Sequence, residues 1–232
     1  MDGAPVGRRV FLGLLGLGAA GVATGAAVQG WLERNVGPII GRDPTGFLSL
    51  LPIGRFRIYT VTGGLPDRTR AEYRLRVHGL VDQDLDLSFA DLVAMPSTRV
   101  VRDFQCVTGW RVPEVRWKGV RLREVLDRAG VQQGAGAVRF VSFDGTYRES
   151  LTLGQARRDD VMVAYELEGE PLSSEHGGPA RLYVAPMYGY KSCKWLESIE
   201  VTRHVVPGYW EHRGYDVDGW VGRSNGRDDK ST

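Results

Sequence analysis

Cysteine is scarce in this 232-residue chain: there are two, Cys106 and Cys193. That is too few for a disulfide framework, and a single bridge between them is the most that could form. An excess of one charge is also missing. Lysine and arginine total 30 against 28 aspartate and glutamate, a formal net charge of +2. With no basic run either, the chain offers no general field for nucleic acid. No segment repeats at a period of about twenty to fifty residues, which excludes a repeat array. What is present is ordinary for a globular domain: 42% hydrophobic and 25% charged residues, enough apolar material for one sizeable core. Thirty-one glycines and eleven prolines favour many turns and hence a β-rich fold, although the N-terminal segment inflates the glycine count.

That segment carries paired arginines, Gly7-Arg8-Arg9-Val10-Phe11-Leu12-Gly13, followed by a Gly/Ala-rich apolar stretch to about Trp31. It resembles a twin-arginine export signal, whose apolar region is weak. The alternative is an uncleaved anchor, since a membrane span needs roughly 20 apolar residues. Gly25-Ala26-Ala27 and Ala23-Thr24-Gly25 offer small residues, but neither is a clean Ala-x-Ala cleavage site. Either way residues 1–32 read as signal or anchor, the rest is expected outside the cytoplasm, and contact with the membrane would run through this segment. The twin-arginine route carries proteins already folded around a cofactor. Residues 33–54 read as linker, broken by Gly37, Pro38, Gly41, Pro44, Gly46 and Pro52.

From 55 to 222 no boundary is visible. Strands are expected at 55–62, 73–81, 99–104, 137–143, 161–167, 181–186 and 199–202, from alternation and β-branched content. A short helix is expected over 88–95, capped by Ser88 and stopped by Pro96. Another is expected over Leu122 to Ala129, apolar at 122, 125, 126 and 129 and ended by Gly130. The stretch 150–156 reads as irregular or a helical turn. Strands with short helices between them, without regular βαβ units, predict an α+β fold with a mixed sheet. The last residues, 223–232, read as a disordered tail.

The stretch Phe104-Gln105-Cys106-Val107-Thr108-Gly109-Trp110 sets one cysteine where a strand ends and a glycine loop begins. A thiol on a loop with a rigid base suits a metal ligand or a nucleophile. It equally suits a small buried hydrophobe, which most free cysteines are. Further motifs follow in order: Trp117-Lys118-Gly119-Val120, Tyr165-Glu166-Leu167-Glu168-Gly169-Glu170-Pro171-Leu172, Glu175-His176-Gly177-Gly178-Pro179-Ala180-Arg181, and Tyr190-Lys191-Ser192-Cys193-Lys194-Trp195-Leu196. Together, over about residues 55–204, they resemble the sulfite oxidase family of molybdopterin-dependent oxidoreductases.

The resemblance implies an α+β molybdopterin-binding domain, the cofactor molybdenum-molybdopterin, and oxygen-atom transfer on a small-molecule substrate. It places the single protein ligand to the metal on Cys106, and thiolate is a soft ligand suited to such a metal. Arg181 falls at the position that neutralises the pterin's phosphate, with Lys194 and Ser192 as further donors, and Cys193 lies between these two. His176 and Asp144 fall on pterin contacts, and Arg57, Tyr59 and Thr60 on the opposite wall. The sulfite-oxidising members carry an Asn and paired Arg after the cysteine. Here only Arg111 could bind an anion, with Tyr165 or Tyr188 as more distant candidates. Expected too is a short form without the family's dimerisation and haem domains. That form is similar to the catalytic subunit of a bacterial methionine sulfoxide reductase, whose electrons come from a membrane haem partner. Two other readings remain open at this point: a cofactor-free binding domain on the same fold, and a thiol enzyme using Cys106 with His176 as base.

Overall fold

The structure is a computed structural model that describes residues 55–229. The expected signal or anchor (1–32), the linker (33–54) and residues 230–232 lie outside the described residues. No described helix is long and apolar enough to cross a membrane.

Two five-stranded sheets carry the fold, the first mixed and the second wholly antiparallel. Strand β1 (Arg74–Gly79) alternates, with Leu75 and Val77 buried and Arg74 and Arg76 exposed. It pairs antiparallel with β2 (Leu85–Ser88) and parallel with β10 (Leu196–Thr202). β5 (Ala137–Ser142) and β6 (Arg148–Thr152) complete this sheet in the order β2-β1-β10-β5-β6. The second sheet runs β3 (Ser97–Gln105), β4 (Arg111–Arg121), β7 (Val161–Leu167), β8 (Glu170–Pro171), and β9 (Arg181–Val184) also pairs with β7. Helix α1 (Phe89–Ala94) begins with a Ser88–Asp91 capping box. Helix α2 (Leu122–Ala129) buries Leu122, Val125, Leu126 and Ala129, the stripe its spacing predicts, and α3 (Leu153–Ala156) is a single turn.

β7 organises the interior because both its faces are buried. Val161, Val163 and Tyr165 join the main core with α2 and the first sheet, while Met162, Ala164 and Leu167 face a second cluster with Phe104, Trp110 and Trp117. β9 repeats the division in register, Val163 opposite Leu182 and Ala164 opposite Arg181. Leu182 and Val184 therefore enter the main core, and Arg181 is delivered to the aromatic side, over Trp117 and Phe104.

Three expectations are corrected. Residues 55–62 form no strand, because their alternating side chains have no neighbouring strand to pair with and instead line a cavity. In the stretch 150–156 the helical-turn alternative holds for α3, Leu153–Ala156, whereas residues 150–152 are not irregular but the end of β6. Residues 223–229 are not a free tail: Ser224 and Asp229 are buried, and Asp229 accepts a 2.9 Å hydrogen bond from the Tyr188 hydroxyl.

The C-terminal segment is fastened by an ion cluster. Lys191, 1% exposed, donates to Glu149 on β6, to Glu211 at 2.7 Å and to the carbonyl of Val217 at 2.9 Å. Burial pushes the Glu149 carboxyl up against the pull of Lys191, and the neighbouring Glu211 adds to the rise. Removing the one cation leaves two carboxyls buried beside each other. Lys191→Met should therefore cost about 3–5 kcal/mol in chemical denaturation, the range for breaking a buried pair on one side; a loss under about 1 kcal/mol would mean the cluster does not hold the segment.

Candidate functional site

A cavity of about 310 Å³ opens between the irregular segment 56–61, the loop after β3, the turn after β5 and the loops flanking β9. It gathers most of the residues singled out in the sequence: Arg57, Tyr59, Thr60, Cys106, Asp144, His176, Arg181, Ser192 and Lys194 all line it.

Arg181 is its most constrained member, 4% exposed. Its guanidinium donates to the carbonyls of His176 (2.8 Å), Ser192 (2.9 Å) and Leu182 (3.3 Å), so it ties together the two loops that flank β9. Burial pulls its pKa down to about 10. Lys194 donates to the carbonyls of Tyr59 (2.7 Å) and Glu175 (3.4 Å) and sits 4.2 Å above the Trp195 ring. Burial and then repulsion from Arg181 bring it to about 8. Among the described residues neither cation is in an ion pair; their acceptors are all backbone carbonyls. The two loops meet closely at Gly177, in the left-handed region at φ +92°. A Cβ there would lie 2.7 Å from the Lys194 Cβ, which leaves room for glycine alone.

Asp144 caps its own turn, one carboxylate oxygen accepting from the amides of Thr146 (2.8 Å) and Tyr147 (2.7 Å). Its other oxygen, Oδ2, is buried without a partner among the described residues. Such an orphan acceptor in a cavity wall is unfavourable unless a ligand donates to it. Ser192 accepts from the amide of Val184 at 3.0 Å and keeps its hydroxyl proton for another acceptor. His176 meets the Phe56 ring edge-on at 4.8 Å, and burial, then Arg181, lowers its pKa.

Cys106 lies where β3 ends. Its amide donates to Trp110 and its carbonyl accepts from Gly109, closing a tight loop that leaves Sγ half-buried, 3.2 Å from the Thr108 hydroxyl. Burial raises the thiol pKa, an effect that Thr108, Arg227 and Arg57 oppose. The hydrogen-bond partner of Sγ is Thr108 and not His176, so the cysteine–histidine pair of a thiol enzyme is not assembled. Both cysteines are free.

Some expected site residues stand elsewhere. Arg111 does not line the cavity: the β3–β4 register sets it opposite Gln105, and its guanidinium donates to Gln105 Oε1 at 2.5 Å and pairs with Asp103 at 3.3 Å. Cys193 is fully buried in the main core, one residue away from a lining position on each side. Tyr165 is core, and Tyr188 is engaged with Asp229.

Sequence reasoning missed the C-terminal contribution. Trp210 and Tyr215 line the cavity, and Arg227 packs on the Cys106 loop, where a Cβ at Gly109 would lie 3.0 Å from its Nη2. Arg227 is fixed by a two-pronged pair with Asp229 (2.5 and 3.1 Å). The clue was Tyr209-Trp210 and Tyr215, since aromatic residues are depleted in disordered segments.

Among the described residues no three His, Cys, Asp or Glu side chains are assembled into a metal site. The cavity instead offers one thiol, a buried and a half-buried cation outside any ion pair, an orphan acceptor and aromatic walls. This donor set fits a large cofactor with an anionic end, polar ring N–H groups and its own sulfur donors, whose metal needs one further soft ligand.

Comparison with known proteins agrees. The domain family described as oxidoreductase molybdopterin binding domain matches residues 62–210. The oxidoreductase YuiH of Bacillus subtilis is 38% identical over 68% of this chain and 80% of its own length. Sulfite oxidase of Arabidopsis thaliana is 31% identical over 62% of this chain and 46% of its own. A protein-methionine-sulfoxide reductase subunit, YedZ1, of Azospira oryzae is 29% identical over 85% and 72%. Among solved structures, the sulfane dehydrogenase SoxCD of Paracoccus pantotrophus superposes with a TM-score of 0.57 and 26% identity, over 62% of this chain and 41% of that one. With its one mixed and one antiparallel sheet, its thiol loop and its cationic cavity, this chain belongs to the sulfite-oxidase-type family of oxidoreductase molybdopterin-binding domains, whose cofactor is molybdenum-molybdopterin.

Proposed function

We propose that this oxidoreductase transfers an oxygen atom to or from a small oxyanion or S-oxide, that it works outside the cytoplasm, and that Cys106 is its one protein ligand to molybdenum. The observation that carries the reading is the Arg181–Lys194 pair, one cation buried and one half-buried, neither in an ion pair among the described residues, lining the same cavity as the Cys106 thiol. A buried guanidinium with a second cation beside it is costly unless an anion joins them. The phosphate end of the pterin would be that anion, Asp144 Oδ2 would accept from its ring N–H groups, and the Ser192 hydroxyl would supply a further donor.

When bound, molybdenum-molybdopterin supplies the two-electron oxygen-transfer chemistry. The chain holds, orients and tunes. Cys106 gives up its proton to become a ligand, and the positive charges of Arg57 and Arg227 favour the thiolate that burial opposes. The aromatic walls keep bulk water from the thiol. In the reducing direction, the S=O bond of the substrate breaks and its oxygen leaves as water, having taken up two protons and two electrons. A membrane haem protein would deliver those electrons singly. Export rests on the Arg8-Arg9 pair and the apolar stretch after it.

Cys106→Ser should retain near-stoichiometric pterin yet lose oxygen-atom transfer, assayed with reduced viologen and an S-oxide; full turnover in that variant removes the metal-ligand assignment. A second test reads the anion site. Lys194 loses its proton above about 8 and holds an anion only when charged. Inorganic sulfate, ionised throughout, should therefore bind the cofactor-free protein more weakly as pH rises through about 8. In calorimetry Lys194→Met should bind weakly at every pH; an unchanged profile in that variant would place the anion elsewhere.

A further inference from the structure

The cavity beside the thiol is finished by residues that lie at or beyond the end of the matched domain. Trp210 and Tyr215 stack at 5.1 Å and 22°, stay half-buried, and line the cavity. Val107, next in the chain to Cys106, packs against the same small cluster of Tyr188, Tyr190 and Val221 as these two rings. The wall is held in place from several sides. Tyr190 meets Tyr215 edge-on at 5.3 Å and its hydroxyl donates to the Asp216 carbonyl at 2.6 Å, while Glu211, next to Trp210, is clamped by Lys191. Half-exposed rings, fixed in place and turned into a cavity, are a ready surface for an apolar group.

The charges nearby arrive already paired. Arg111 is taken by Asp103 and Gln105, and Arg227 by Asp229, whose carboxylate is itself buried and held by Tyr188. Arg57 lines the cavity, and its charge favours the Cys106 thiolate. A bare dianion beside these paired charges would face mostly aromatic surface and be poorly compensated. An organic S-oxide carries one dipolar oxygen and apolar substituents, and the substituents match a wall of rings.

We propose that Trp210 and Tyr215 form a specificity-determining subsite for the organic group of the substrate, so that the enzyme prefers S-oxides with an aromatic or bulky apolar substituent to bare inorganic oxyanions. The inference rests on the oxygen-transfer reading and narrows it to a substrate class.

The test compares methyl phenyl sulfoxide with dimethyl sulfoxide in the holoenzyme, with reduced viologen as electron donor. Trp210→Ala should lower kcat/KM for methyl phenyl sulfoxide about tenfold, mostly through KM, as expected for loss of about one large apolar contact. The loss on dimethyl sulfoxide should be several-fold smaller, and Trp210→Phe should recover most of the loss on methyl phenyl sulfoxide. Equal losses on both sulfoxides, or no rescue by phenylalanine, overturn the subsite. So does a wild-type kcat/KM for sulfite, with ferricyanide as acceptor, above that for methyl phenyl sulfoxide. Calorimetric binding of the unreactive methyl phenyl sulfone gives an independent readout, expected to weaken about tenfold in Trp210→Ala and Tyr215→Ala. If fully loaded enzyme turns over no S-oxide at all, the reaction assignment fails, while sulfone binding still decides whether the subsite exists.

Discussion

A guanidinium buried without a counter-ion is the constraint around which this site is built. Arg181 reaches its position because β9 pairs in register with β7, which turns it toward Phe104 and Trp117 while its neighbour Leu182 enters the main core. Burying a lone charge costs several kcal/mol. Three carbonyls, from His176, Leu182 and Ser192, offset part of that cost without cancelling the charge. The same bonds join the loop before β9 to the loop after it, so the residue that creates the demand for an anion also shapes the place that receives it. Lys194, on the far loop, sharpens the demand because the two cations repel.

The second ion cluster serves a different purpose, and the contrast is informative. Lys191 is as buried as Arg181 but has two carboxylates against it. Its charge is satisfied within the protein, and it asks nothing of a ligand. It secures Glu211, and with it Trp210, to β6 and the cofactor loop. One buried cation is therefore left open and the other closed. That difference separates holding a cofactor from holding the fold.

Much of the fold was legible wherever an element satisfies its own pattern locally. Helix α2 appears over Leu122–Ala129 with its apolar stripe buried, and β7 and the Ser88 cap appear where their side chains require them. Residues 55–62 alternate like a strand but have no partner, and alternation alone cannot supply one. β4 is easily missed although Val115 and Trp117 alternate with Glu114, Arg116 and Lys118, because Pro113 and Gly119 confine that alternation to five residues. It forms because β3 and β7 flank it. Within the site, the residues legible from motifs converge on one cavity. Arg111 fails for a reason invisible in one dimension: the register that sets it opposite Gln105 also brings it to Asp103. Trp210, Tyr215 and Arg227 were missed because only the returning chain brings them to Cys106.

This division has a chemical logic. A cofactor with a fixed shape and a charged end needs fixed cations and an unsatisfied acceptor; on the proposed reading these are supplied by residues of the matched domain that line the cavity, Asp144, His176, Arg181, Ser192 and Lys194. Substrate selection needs a surface that can differ while the cofactor site stays constant. In this chain that surface is the segment from Trp210 to Asp229. It is anchored through Lys191, Tyr188 and Tyr190 to the loop that also carries Ser192, yet it contributes none of the cofactor site's unpaired cations. Because its anchors are buried and its rings face the cavity, a ring can be exchanged without touching the bonds that hold Arg181. The walls near the thiol can thus change with the substrate while the demand for an anion, set by Arg181, remains.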